Sequence, residues 1–264
     1  LHKIVTDQVH PPIEVITAVS FGAPLMYANN QYYVVFCSFS AGSGTHKSTS
    51  IGLGAAVWGS PVLTKERPMS SQKGILRKMG HIKNLPVYWD EISEVEKMDE
   101  VRTIVSYLSE GSEGTKLHQD RTMYDKESWQ TLMLVGSNQS LCENILRNTQ
   151  STDAKLQRVF EFLVPPRPDS ADQNHVSGLV NALDYNYGNI GLLYARMLGR
   201  DPAGIASYVK GVHARFNREV DHVSQERFRS AAAAATFAGA ELANQLGCKF
   251  HLPQMWTFLK EQYF

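Results

Sequence analysis

The chain has 264 residues, room for one large α/β domain or a core domain with a smaller helical one. Hydrophobic residues make up 43% and charged residues 20%, the composition of an ordinary globular protein, and no apolar run reaches the length a membrane-spanning helix needs. Lys plus Arg (26) equal Asp plus Glu (26), so the net charge is zero and the molecule as a whole is no basic nucleic-acid binder, although a few basic residues can still line a local surface. Cys37, Cys142 and Cys248 are scattered and lack paired metal-ligand spacing, which fits a reducing cytoplasm and suggests no zinc site. No signal-peptide pattern opens the sequence, and Leu1 stands where an initiator Met would, so it reads as a segment of a longer protein.

In chain order, residues 3–28 are mostly apolar, and Ile13, Ile16 and Val19 share helical spacing. After a turn at Asn29 and Asn30, Tyr32 to Phe39 predicts a buried strand, then a glycine-containing loop and a small-residue helix from Ser48 to Trp58. Leu85 to Trp89 predicts a second strand. Val95, Met98, Val101, Val105 and Leu108 predict an amphipathic helix over 94–109, stopped by Gly111. Thr131 to Val135 and Val159 to Val164 predict two more strands, the last closed by Pro165 and Pro166. Beyond Asp169 the pattern is helical. Asp201-Pro202 is a helix start, and a long small-residue helix runs from Gln225 to Leu246 with Gly247 placed to cap it. The run Ala231–Ala235 reads as close helix packing. The boundary falls near 165–175, dividing the chain into 1–168 and 169–264.

Four places carry chemistry. The first is Ala41-Gly42-Ser43-Gly44-Thr45-His46-Lys47-Ser48-Thr49, set between a strand and a helix. In that context backbone N–H groups can cradle phosphate, a Lys reaches the outer phosphates, and a hydroxyl, here Ser48, holds Mg²⁺. Ala41 and His46 depart from the usual glycines; if position 46 needs positive φ, His tolerates it at a cost. A plain Gly/Ser turn is the competing reading.

The second is Asp90-Glu91 at the C-terminal end of an apolar strand, where ligands bind in doubly wound sheets. Asp90 suits the Mg²⁺ shell and Glu91 the attacking water, unless the pair merely begins the acidic helix that follows. The third is Asn138, after Gly136-Ser137, able to touch a γ-phosphate and a water or simply to make a turn. The fourth is Arg158, before the last strand, which could reach a neighbouring subunit's nucleotide or be an ordinary surface Arg.

The order Lys47-Ser48, Asp90-Glu91, Asn138, Arg158 resembles a superfamily 3 helicase of the AAA+ class. Gly136-Ser137-Asn138 is similar to that group's sensor-1 motif, and Leu156 to Phe162 to its arginine-finger segment. Ser20 to Leu25, Ala55 to Pro61, Leu85 to Glu91, Trp129 to Ser137 and Asn186 to Gly191 resemble the ATPase module of phage and mobile-element primase–helicases, a family first described only as a domain of unknown function. The likeness covers most of 15–200. It implies a P-loop NTPase core with a central, mostly parallel sheet and an α-helical lid or C-terminal domain. It also implies ATP and Mg²⁺ held between subunits of a hexameric ring, with Lys47, Glu91, Asn138 and Arg158 catalytic and Ser48 and Asp90 at the metal. Single-stranded or forked DNA would be the track, a primase or polymerase domain could lie on the same chain, and the cytoplasm of a bacterial host would be the location.

In such motors a hairpin between the acidic strand and the sensor strand enters the pore. Here that interval is 112–128, with Lys116, His118 and Arg121 as candidate phosphate contacts, or else a solvated loop. A second basic stretch, Lys65, Arg67, Lys73, Arg77, Lys78 and Lys83, could face DNA or pair with a neighbour's acidic helix. The rival functions are an ATP-dependent DNA-binding switch or loader without unwinding, and a degenerate nucleotide-binding module, the latter favoured by His46.

Overall fold

The computed structural model describes residues 10–30, 33–42, 44–66, 70–92, 99–101, 103–105, 128–148, 153–166, 178, 180–221 and 226–263. Five strands form one sheet: β1 (Tyr33–Phe39), β2 (Lys65–Glu66), β3 (Val87–Trp89), β4 (Thr131–Ser137) and β5 (Val159–Leu163), in the order β2-β3-β4-β1-β5. Every pairing is parallel. Parallel sheets are covered on both faces, so their strands read as unbroken apolar runs; β1, β3 and β4 are such runs. The strand expected from Leu85 starts at Val87, because Pro86 has no N–H to give the ladder. The strand expected to end at Val135 continues through Ser137, and this extension carries polar atoms into the site.

Alternation along the strands splits the core in two. Val34, Phe36, Leu132, Leu134 and Phe160 face one cluster, while Val35, Cys37, Met133, Val135 and Trp89 face the other. The second face is covered by α4 (Gln72–Ile82), through Ile75 and Met79, by helical residues 99–101 and 103–105, and by α5 (Leu141–Asn148). The short helices α3 (Pro61–Thr64) and α6 (Asp153–Leu156) complete the connections to β2 and β5.

The first face is covered by α1 (Pro11–Gly22) and α2 (Lys47–Trp58), and behind them by the C-terminal helices. These are α7 (Asn189–Arg200), α8 (Pro202–Glu219), α9 (Arg227–Gln245) and α10 (Leu252–Glu261). Asp201 caps α8 as expected, its side chain accepting the Gly204 N–H at 2.9 Å, and Gly247 takes the positive φ (94°) that follows α9.

From Pro12 to Gly22 every residue of α1 is buried, the signature of a helix enclosed on all sides. Against it lies α9, whose Ala231–Ala235 are fully buried. The two backbones touch at glycines: a Cβ on Gly239 would stand 2.5 Å from the Gly22 nitrogen. Glu14, 1% exposed, avoids the cost of a bare buried carboxylate by accepting from the His251 backbone N–H (2.7 Å) and facing His251 Nδ1 (2.8 Å). That contact ties α1 to the start of α10. The expected boundary near 165–175 falls largely outside the described residues. Among those described, no helix is long and apolar enough to cross a membrane.

The topology fixes where a ligand would sit. The chain leaves β1 through α2 toward β2 at one edge, and leaves β4 through α5 and α6 to reach β5 on the far side of β1. Two neighbouring strands whose continuations diverge open a crevice at their C-terminal ends. The residues after Phe39 and Ser137 border it.

Candidate nucleotide site

The loop 40–46 links β1 to the N-terminus of α2, so the positive end of that helix points at the crevice. Gly44 has φ 80°, and His46 lies in the left-handed region at φ 58°, ψ 17°. Position 46 therefore takes the conformation for which glycine is the unstrained choice. Ala41 is not among the residues with positive φ, so its side chain carries no such cost. Gly42, Gly44 and Ala41 are exposed at the mouth; Thr45 is buried and meets Ser40 Oγ at 3.2 Å. Ser43 lies outside the described residues. Thr49, in the first turn of α2, is half-buried.

Lys47 is the first residue of α2 and is 7% exposed. Its Nζ donates to Ser40 Oγ (3.2 Å), to Asn138 Oδ1 (3.1 Å) and to the Ser137 carbonyl. Burial pushes its pKa below the ordinary lysine value, while the negative charges of Asp90 and Glu91 push the other way. An ammonium so desolvated, held by three oxygens, is an anion receptor in wait.

In the next residue, Ser48 Oγ donates to Asp90 Oδ1 at 3.1 Å, and the Glu91 backbone N–H donates to the same oxygen at 3.1 Å. The other oxygen, Oδ2, lies 3.5 Å from Lys65 Nζ. Glu91 itself is exposed and has φ 61°, a strained value for a non-glycine residue.

Lys47, Ser48, Asp90, Glu91 and Asn138 thus gather at one end of the sheet. Arg158 does not join them. Its carbonyl accepts the Val35 N–H (2.9 Å) near the start of β1, and its guanidinium lies 4.5 Å over the Phe228 ring. Burial lowers its pKa, and the charge of Arg227 lowers it further. Lys116, His118 and Arg121 lie outside the described residues. Of the basic stretch, Lys65 faces Asp90, and Lys78 is bonded to Glu66 and to the Thr64 carbonyl (2.8 Å), so these two are turned to partners within the chain.

The donors suit a small hard cation. A hydroxyl and a carboxylate oxygen stand side by side, and Mg²⁺ takes one or two carboxylates with substrate phosphates and water completing the octahedron. No group of three or more His, Cys, Asp or Glu among the described residues forms an all-protein metal cage, so phosphate would have to supply the rest.

Three contributors escape a reading of the sequence. Ser40 follows the predicted strand and looks like an ordinary loop residue. Lys65 belongs to a two-residue edge strand, and only its register opposite Tyr88 in β3 brings it to Asp90. Gly136 resembles part of a short motif, but its physical role is clearance: a Cβ there would meet Ile51 Cδ1 at 2.7 Å and Asp90 Oδ1 at 2.8 Å. Gly136→Ala is therefore expected to push Asp90 off Ser48 and to cost about 1–3 kcal/mol of stability by overpacking. Thermal melts and Mg²⁺-dependent nucleotide binding check it; a variant unchanged in both would mean that Asp90 has room to move.

Comparison with known proteins gives a family match over part of the chain, and a fold. Residues 5–121 match the family model described as a domain of unknown function, DUF927. Among solved structures the chain is similar to one titled SCCmec type IV Cch, an active helicase, with a TM-score of 0.72 and 16% sequence identity. The superposition covers 99% of this chain and 49% of the other, so the chain spans about half of that protein's length. At that identity the likeness is one of fold. No curated protein matches the sequence.

Proposed function

We propose that the chain is the ATP-hydrolysing motor of a DNA helicase or translocase from a phage or mobile element, working as a hexameric ring with ATP held between subunits. One observation carries this reading: Lys47, Ser48, Asp90 and Asn138 converge at the crevice where β1 and β4 diverge, below a loop that feeds a helix N-terminus. The superfamily 3 likeness in the order of these residues supports it, as does a fold similar to an active helicase.

In this reading the loop N–H groups bind the phosphates and Lys47 leaves its resting oxygens for the outer two. Ser48 and Asp90 hold Mg²⁺, which supplies Lewis-acid polarisation of the phosphates when bound. Asn138, already beside Lys47 Nζ, orients the attacking water, and Glu91 takes its proton. Arg158 acts on the neighbour's nucleotide. Residues 1–168 form the ATPase core and 169–264 a helical C-terminal region, and Lys116, His118 and Arg121 touch DNA phosphates.

The test is ATP turnover, with and without single-stranded DNA, across protein concentrations that span assembly. Turnover should rise with concentration and with DNA, and Lys47→Ala should lower it by roughly 10²-fold or more, the scale of losing one strong electrostatic contact to the transferred group. Lys47→Ala hydrolysing ATP at the parent rate would remove the reading. Nucleotide- and DNA-dependent assembly without strand separation would convert the motor into a switch or loader.

A further inference from the structure

At the end of the sheet opposite Lys47, two arginines share one aromatic ring. The Arg158 guanidinium lies 4.5 Å from the centroid of Phe228, and that of Arg227 lies 5.0 Å from the same centroid. Phe228 is in the first turn of α9, and Arg158 precedes β5, so the pairing joins segments far apart in sequence. Three circumstances make Arg227 expensive to hold there without an anion. The two cations repel each other beside a half-buried ring, where screening is weak. Arg227 opens a 19-residue helix, at the end where the helix dipole disfavours positive charge. Among the described residues no carboxylate stands within ion-pair distance of Arg227, whereas Arg229, two places on, has Glu226 at 3.9 Å and the Gln262 carbonyl at 3.2 Å.

We propose that Arg227 and Arg158 form a two-guanidinium clamp on Phe228 that takes the triphosphate bound by a second copy of the chain. The inference rests on the motor reading given above and adds Arg227 to it. Guanidinium forks match phosphate oxygens in pairs, and an aromatic face holds such a fork flat without neutralising it. The anion has to come from another molecule. Arg158 sits beside Val35, whereas Lys47 bonds Ser137, which is in register with Phe39, so about 13 Å of strand separates them in one subunit. The positive N-terminus of α9 adds to the same potential.

Arg227 is exposed, so Arg227→Ala leaves the core intact, and its melting temperature should fall by no more than the loss of one exposed cation–π contact costs. The experiment compares full-length chains carrying Arg227→Ala, Arg158→Ala and Lys47→Ala, alone and in pairwise mixtures, for ATP turnover and ATP binding at assembling concentrations. Arg227→Ala is expected to lose roughly 10- to 100-fold in turnover, the scale of one charge-assisted contact, with ATP affinity nearly unchanged. Mixing it with Lys47→Ala should restore part of the rate, because some junctions then join an intact Lys47 to an intact Arg227. A defect that Lys47→Ala fails to rescue, or a fall in melting temperature well beyond that of one cation–π contact, would make Arg227 structural and overturn the clamp. If Arg158→Ala loses turnover and Arg227→Ala does not, the clamp falls and the motor reading stands, and weakened binding of single-stranded DNA in Arg227→Ala would then reassign the residue to the track. If neither variant loses turnover, both fall.

Discussion

Arg158→Ala is expected to lower ATP turnover by roughly 10³–10⁵-fold while leaving ATP affinity close to that of the parent, because an arginine that meets charge developing on a transferred phosphoryl group acts mainly in the transition state. The position of the residue makes this a demanding prediction. Arg158 stands at the opposite end of the strands from Lys47, hydrogen-bonded through its carbonyl to Val35, with its guanidinium over Phe228 and not at the loop of its own chain. Any catalytic effect has to be exerted on another copy, so the parent should show turnover that falls steeply on dilution and Arg158→Ala should show almost none at any concentration. Stacking over Phe228 gives the side chain a structural worth as well, on the order of 0.5–1 kcal/mol for a partly exposed cation–π contact. A drop in melting temperature of that size is therefore expected and does not by itself explain a loss of several orders of magnitude. Rescue by Lys47→Ala in mixed assemblies separates the two contributions. Parent-like turnover in Arg158→Ala would leave the cation with its structural role alone.

Much of this arrangement can be read from the sequence, for definite reasons. The strands Tyr33–Phe39 and Thr131–Ser137 are buried on both faces, so each is an apolar run bounded by turn residues, and no partner need be known to see it. The loop ahead of Lys47 is legible because a strand, small residues and a helix follow one another within a short stretch. Position 46, where the sequence places His instead of the usual glycine, does adopt positive φ. What stays hidden depends on contacts between segments that nothing local connects. Lys65 meets Asp90 only because a two-residue strand pairs with β3, and Glu14 meets His251 across almost the whole chain. Arg227 is one basic residue among several at a helix start until the fold lays it against the ring that Arg158 also covers. The helices α4, α5 and α10 present one apolar side and a polar or charged one, a pattern that a solvated surface segment shares. The stretch expected to carry the pore hairpin, 112–128, lies almost wholly outside the described residues, so its three basic residues remain an expectation of sequence.

The resting state of Lys47 bears on the order of events. Its ammonium is occupied by Ser40, Asn138 and the Ser137 carbonyl, all at the ends of β1 and β4. For Lys47 to engage phosphates, at least one of these contacts has to be given up, and Asn138 is then free to take a water. In the proposed function, binding and the positioning of the nucleophile would thus be coupled through one side chain. In the same way Ser48 and Asp90 hold each other in the orientation a cation would use, which reduces the ordering needed when it arrives.

The base is the sharpest test of the chemistry. Glu91→Gln is expected to lower hydrolysis by roughly 10²–10⁴-fold, the usual worth of a positioned general base, with ATP and Mg²⁺ still bound through Lys47, Ser48 and Asp90. Glutamine keeps the length and volume of the side chain and the backbone N–H that Asp90 Oδ1 accepts, so the metal carboxylate should not move. Glu91 also holds φ at 61°, a conformation that costs a non-glycine residue on the order of 1 kcal/mol or more. Glu91→Gly should therefore be as inactive as Glu91→Gln and yet more stable than it, since glycine adopts that φ without strain. A residue kept at a strained position for its carboxylate gives this pairing of lost rate with gained stability; an acidic residue that merely opens a solvated helix gives the gained stability without the lost rate. Single-turnover hydrolysis, ATP binding and thermal melts on the two variants decide the matter. Turnover at the parent rate in Glu91→Gln would move the proton acceptor to another group, whatever the melts report.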